Sequence, residues 1–169
     1  HLPSPADERQ PLVYTDEQAQ RLIRWGELDP ETGEFVYLRM VLEEAKGWGK
    51  SPFAGSLDLL DFAGPVCFDG WDAAGEPVGV PWGTGDRPPP WVQIAAVSED
   101  QTKNTYGAMY AMLAANDGKA ADSLKIDLGR TRLYLRDRSG RLEPVTASAG
   151  SREGQRLTKF TADETQLWL

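Results

Sequence analysis

The run Lys46-Gly47-Trp48-Gly49-Lys50-Ser51 constrains this chain more than any other stretch of it. It joins an apolar segment, residues 35–42, to one in which Phe53, Leu57 and Leu60 recur at helical spacing with Ala54 beside them. Buried strand, glycine-rich turn, helix is the order a phosphate cradle requires. Glycine lets consecutive backbone N–H groups converge where any Cβ would obstruct the approach. The helix that starts at Lys50 adds the partial positive charge of its N-terminus. Gly49-Lys50-Ser51 is the core of a Walker A motif, in which Lys50 neutralises β- and γ-phosphate oxygens and the Ser51 hydroxyl ligates Mg²⁺. The full pattern asks for glycine five residues before Gly49, and that position holds Glu44. The flanking strand and helix therefore carry the assignment, against the alternative of an incidental glycine-rich turn.

A second element lies far downstream. Asp163-Glu164 follows the strand candidate 157–162, and ATP hydrolysis needs two carboxylates at such a place. One, Asp163, serves Mg²⁺ directly or through water, and the other, Glu164, orients and deprotonates the attacking water. An acidic surface pair is the alternative. The two elements come in the right order, with room between them for the strands of a doubly wound sheet that brings both to one edge.

Between and around these elements the chain reads as one α/β domain. Residues 1–11 are a loose polar arm. Thr15-Asp16-Glu17-Gln18 is a capping box for a helix over 16–26, with Ala19, Leu22, Ile23 and Trp25 as its apolar stripe. Asp29-Pro30-Glu31-Thr32-Gly33 is a turn. Residues 64–90 are dense in Gly and Pro, with Asp72-Ala73-Ala74-Gly75 as the tip of a hairpin running from Val66 to Val80. Trp71 and Trp82 either pin that insertion to the sheet or contact DNA. Residues 91–97 form a strand. Ser98 or Asp100 caps a helix with Tyr106, Met109, Tyr110 and Leu113 on one face, closing near Asn116-Asp117-Gly118. Residues 132–136 and 142–146 alternate around Ser139-Gly140 as a second hairpin, and 147–155 is a small-residue loop.

Composition sets bounds on function. The length of 169 residues buries a real core, and no apolar run approaches the ~20 residues of a membrane span. One cysteine, Cys67, with His1 as the lone histidine, leaves no disulfide framework or zinc cage, so a metal would be a hard cation held by oxygens. A net charge of −8 argues against broad nucleic-acid binding. The local exception is Arg130, Arg132, Arg136, Arg138 and Arg141, either a solvated hairpin face or an edge facing DNA or a neighbouring subunit.

On these motifs, over about residues 11–169, the chain resembles the ATPase half of phage large terminase subunits, nearest to those of tailed phages infecting actinobacteria. The family's Walker A begins with a basic residue, then two variable positions and Gly-Lys-Ser/Thr, which Lys46-Gly47-Trp48-Gly49-Lys50-Ser51 resembles. Asp163-Glu164-Thr165-Gln166-Leu167-Trp168 resembles its Walker B segment. The stretch from Gly140 to Ala147 followed by Gly154 resembles the region before it, and residues 91–97 with Ser98-Glu99-Asp100-Gln101 resemble the second strand and the helix that leaves it. The resemblance implies a mostly parallel P-loop NTPase sheet of the RecA-like, ASCE type flanked by helices, incomplete at the C-terminus, with residues 65–90 as an insertion into a domain over 12–169. It makes Lys46 an extra cation near the phosphates, places Gln18 in an adenine-contacting segment, and leaves Trp48 as a nucleotide cover or a packed loop aromatic. ATP and Mg²⁺ are the implied ligands. Double-stranded phage DNA, the portal, the small terminase subunit and a homo-oligomeric ring are the implied partners, in the host cytoplasm and transiently at the procapsid portal. The coupling motif, the last ATPase strands and the nuclease domain are not within these residues. A helicase-like P-loop ATPase and a non-catalytic α/β interaction module are the other readings.

Overall fold

Helix α1 (Asp16–Trp25) starts where the capping box places it. The Thr15 hydroxyl accepts from the Gln18 N–H, and the Gln18 side chain accepts from the Thr15 N–H at 3.1 Å. The structure, a computed structural model, describes residues 2–96, 99–146 and 156–165. His1, Val97, the cap candidate Ser98, the 147–155 loop and the Gln166-Leu167-Trp168 part of the Walker B resemblance lie outside them.

Helix α2 (Lys50–Ala63) follows the glycine-rich turn, β1 (Cys67–Trp71) and β2 (Pro77–Val80) form the hairpin expected in the insertion, and β3 (Trp91–Ala96) is the central strand. All of Val92 to Ala96 is buried, the continuous run of a strand covered on both faces. Helix α3 (Glu99–Ser123) buries Tyr106, Met109, Met112 and Leu113 at i, i+3 and i+4 spacing. Its backbone turns left-handed at Asn116, Asp117 and Gly118, where the sequence reading closes the helix, and a further turn carries Ala121 back to the core.

Strands β4 (Ile126–Leu128), β5 (Leu133–Leu135), β6 (Arg141–Thr146) and β7 (Lys159–Ala162) complete a five-stranded sheet in the order β4-β5-β6-β3-β7. The β6–β3 and β3–β7 pairs are parallel, and β4–β5 and β5–β6 are antiparallel. The architecture is mixed α/β, with its parallel part centred on β3. The expected hairpin around Ser139-Gly140 is β5–β6, and β4 is an added strand that the sequence reading did not contain.

Three expectations are corrected. The apolar segment 35–42 is not a strand: one bridge joins Leu28 to Phe35, and beyond it Leu38 is 83% and Val41 89% exposed. Strand-forming side chains need an edge to pair with, and none of the described strands pairs there. The stripe of α1 does not face the core either. Ile23 is 75% exposed and Gln18 is the helix's buried side chain, because α1 packs on the glycine-rich loop through polar groups. Residues 2–12 are not a loose arm. Pro3 bridges Pro11, Leu12 N–H donates to Leu2 O, and the Asn116 amide donates to Glu8 O at 2.8 Å, fastening this loop to the break in α3.

Helix α2 packs against α3 through Gly55, where an added Cβ would lie 2.7 Å from Met109 Cγ and 3.3 Å from the Thr105 carbonyl oxygen. Gly55→Val therefore pries the two helices apart. Urea unfolding should show a loss of about 1–3 kcal/mol, whereas Gly107→Ala, at an open site inside the same helix, should gain about 0.5–1 kcal/mol.

Candidate functional site

The loop ahead of α2 owes its shape to two glycines. Gly47 and Gly49 have φ of +93° and +91°, values that L side chains rarely adopt, and the space beyond Gly47 is open. Trp48 N–H donates to Ala45 O. The N–H groups of Gly47, Gly49, Lys50 and Ser51 find no acceptor among the described residues, nor does the Ser51 hydroxyl find a partner. A concave run of free amides opening onto a helix N-terminus is a nest for an anion. The Lys50 ammonium is bound at 2.5 Å to Glu44 O and 3.2 Å to Ala45 O, so it folds back on the loop that precedes it. Lys46 is exposed.

Helix α1 clamps this loop. The Gln18 amide donates to Trp48 O at 3.1 Å while its oxygen completes the capping box. A second N–H and a second lone pair of this amide are left over. Trp48 Nε1 donates to Glu17, Arg21 lies over the Trp48 ring, and Arg21 bridges Glu17 and Glu44. Trp48 and Tyr14 each meet Phe53 edge-on, with centroids 5.5 and 5.6 Å away.

Contacts along α2 define its direction against the sheet. Lys159 at the start of β7 donates to Leu57 O, and the Thr161 hydroxyl donates to Asp58 Oδ1 at 2.6 Å. One turn nearer the N-terminus, Gly55 abuts Thr105 of α3, and the Thr105 hydroxyl donates to Asp163 Oδ2 at 2.8 Å. β7 thus meets α2 at Leu57 and Asp58, and Asp163 meets the turn of α3 that abuts Gly55. Asp163-Glu164 follow the carboxyl end of β7, which is parallel to β3, and open α/β sheets bind ligands at that end. Asp163 N–H continues the ladder to Ala95 O at 2.8 Å. Glu164 has φ of +50°, a strained backbone costing on the order of 1 kcal/mol, of the sort that collects at functional sites.

The arginine run is largely spent on neighbours. Arg132 and Arg141 pair with Glu143, Arg136 with Asp122 and Asp127, and Arg138 with Asp137, while the Arg141 guanidinium stacks on Trp91 at 3.8 Å. Arg138 donates to the Trp82 carbonyl and to Ala63 O, so the backbone at Trp82 is tied to the turn between β5 and β6. Trp71 instead meets Phe68 within the hairpin and is half exposed. Sequence reasoning missed Thr105 and Asp58, whose one signal is a carboxylate set between Leu57 and Leu59 in an apolar helix.

The chain is 39% identical over 157 residues to the Gene 13 protein of Mycobacterium phage D29 and 38% identical over 162 residues to the Gene 13 protein of Mycobacterium phage L5. These alignments cover 93% and 96% of this chain but 25% and 26% of the relatives, so the chain spans about a quarter of their length. No family model matches the chain, and no solved structure matches it. Among the described residues no helix is long and apolar enough to cross a membrane.

Burial has a consequence for the acids near this end of the sheet. The Asp58 carboxyl is pushed up to about 7 by burial, against the opposing pull of Lys159 and Thr161 and with added repulsion from Asp61 and Asp163. Burial also lifts Asp61 to about 6, opposed by Lys159 and by the Trp82 indole N–H. Both folded values exceed the ordinary 3.8. The folded chain then holds protons the unfolded chain has released, so this stability is present at low pH and lost as pH rises through 6 to 7. Urea unfolding at pH 5, 6.5 and 8 should show stability declining by at most about 1.4 kcal/mol per pH unit for each group. In Asp58→Asn the decline should be shallower.

Proposed function

We propose that this chain is the nucleotide-binding part of a Mg²⁺-dependent motor ATPase of the large terminase kind, driving double-stranded phage DNA into a capsid. The observation that carries the reading is the run of N–H groups at Gly47, Gly49, Lys50 and Ser51 without an acceptor among the described residues, at the start of the helix whose Gly55 abuts Thr105, the hydroxyl that donates to Asp163. The relatives in two mycobacterial phages support a phage setting.

The residues fit a nucleoside triphosphate. The open space beyond Gly47 admits a phosphate against the backbone, and the free amides supply donors that cost no reorganisation. Lys50 would exchange two carbonyl oxygens for charged phosphate oxygens, a stronger set of hydrogen bonds. Lys46 would add charge. Mg²⁺, when bound, would neutralise charge between the β- and γ-phosphates. Ser51 and Asp163 would hold it together with phosphate oxygens and water, so the site needs no cage of three acidic side chains, and none occurs among the described residues. Glu164 would hold the attacking water and take its proton. The portal, the small terminase subunit, neighbouring copies in a ring and the duplex itself are the proposed partners, in the bacterial host's cytoplasm and transiently at the procapsid. With Arg132, Arg136, Arg138 and Arg141 of the run paired internally, DNA contact would fall chiefly to other parts of the assembly.

Titration calorimetry of MgATP into this chain and into Lys50→Ala tests the reading. Saturable binding that weakens at least about tenfold in the variant is expected, the loss of one charge-assisted contact. A folded chain that ignores MgATP would remove the reading and leave a non-catalytic α/β module. Stimulation of a longer polypeptide's ATPase by single strands rather than duplex would move it to a helicase-like motor.

A further inference from the structure

Among the described residues Asp58 stands out as a fully buried carboxyl. It is 0% exposed, Oδ1 accepts from Thr161 at 2.6 Å with the Lys159 ammonium at 3.8 Å, and Oδ2 has no hydrogen-bond partner. A carboxyl buried with one oxygen unserved weakens a fold. An apolar side chain between Leu57 and Leu59 would pack more cheaply. What the carboxyl does supply is a fixed joint. It sits two turns along the rigid helix whose first residues are Lys50 and Ser51. Its partner Thr161 lies two residues before Asp163, and alternate strand residues share a face. Lys159, Thr161 and Asp163 accordingly all reach the helices above the sheet: the first two meet α2, and Asp163 meets Thr105 of α3.

We infer that the Asp58–Thr161 hydrogen bond sets the position of the Ser51 loop relative to Asp163, which makes Asp58 a positioning residue for the metal-bound nucleotide. The inference rests on the ATP-site reading above. Asp58 touches neither nucleotide nor metal in this scheme. It acts along α2 on Ser51 and along β7 on Asp163, so its removal should affect the part of the affinity that needs both groups at once. ATP without metal engages only the amides, Lys50 and Lys46, all on one side of the joint.

The test measures ATP affinity with Mg²⁺ and with EDTA and takes the ratio as the gain due to the metal. Thr161→Val and Asp58→Leu should each lower that gain about tenfold, the worth of one buried hydrogen bond to a charged group. The double variant should lose no more than either single one, because both remove the same bond. Affinity in EDTA should stay within about twofold throughout. Asp58→Asn keeps an acceptor for Thr161 and should restore the gain. Thr161→Val is isosteric and keeps the test standing if Asp58→Leu fails to fold. A wild-type gain in Thr161→Val, losses that multiply in the double variant, failure of Asn to restore the gain, or an equal fall in EDTA would each overturn the inference while leaving the ATP site intact. A wild-type chain that binds no nucleotide under either condition would remove both together.

Discussion

The close approach of α2 and α3 at Gly55 governs the rest of the molecule. With no side chain there, α2 settles against the Thr105 turn of α3, and Thr105 in turn holds Asp163 beyond the end of β7. The same seating puts Asp58 over Thr161 and lays Phe62 and Leu59 onto the buried face of β3 and its neighbours. Each fully buried Leu, Ile or Phe contributes roughly 1.5–3 kcal/mol. The apolar cluster formed by α2, α3 and the sheet is therefore what sustains the cost of Asp58. A glycine at one helix crossing thus fixes where a loop, a hydroxyl and two carboxyls stand relative to one another.

The loop itself is held by a different kind of interaction. Around Trp48 the contacts are polar, ionic or edge-on aromatic: the partly exposed Glu17 and Arg21, with Glu44 and the buried Gln18 amide beside them. Surface ion pairs contribute little each, so the clamp from α1 is a set of small contributions that can be exchanged without unfolding anything. That suits a segment whose lysine is bonded to its own carbonyls. Phosphate oxygens would compete with Glu44 O and Ala45 O for the same ammonium, and charge favours the phosphate. The deep joint at Asp58 and the shallow clamp at Trp48 therefore divide the work, one fixing α2 and the other leaving the loop adjustable.

How much of this was legible in the sequence follows from how local each signal is. The capping box at Thr15, the turn closed by Gly33, the hairpin about Asp72–Gly75 and the face of α3 through Tyr106, Met109 and Leu113 depend on neighbours within a few residues, and each forms as read. The phase of α2 was harder. Leu60 belonged to the expected stripe yet is half exposed, while Leu59 and Asp58 are buried, because this helix is covered over a wide arc by both α3 and β7. Thr105 was not legible at all, since its meaning comes from a residue 58 positions away. Likewise Gln18 looked like a capping residue or a ligand contact, and its second bond, to Trp48 O, depends on how α1 docks.

The segment 35–42 shows the same principle in reverse. Its Val, Leu and Phe content predicts a strand, but pairing is a property of two segments and not of one. Among the described residues β7 is bonded on one side only, to β3, while 35–42 pairs with no strand and is held by the Leu28–Phe35 bridge, by Val36 N–H to Glu27 O and by Arg24 at the Tyr37 hydroxyl. Leu38 and Val41 consequently stand in water with apolar area that burial elsewhere would turn into stability. A strand signal in one segment therefore yields a strand only where a second segment offers it an edge.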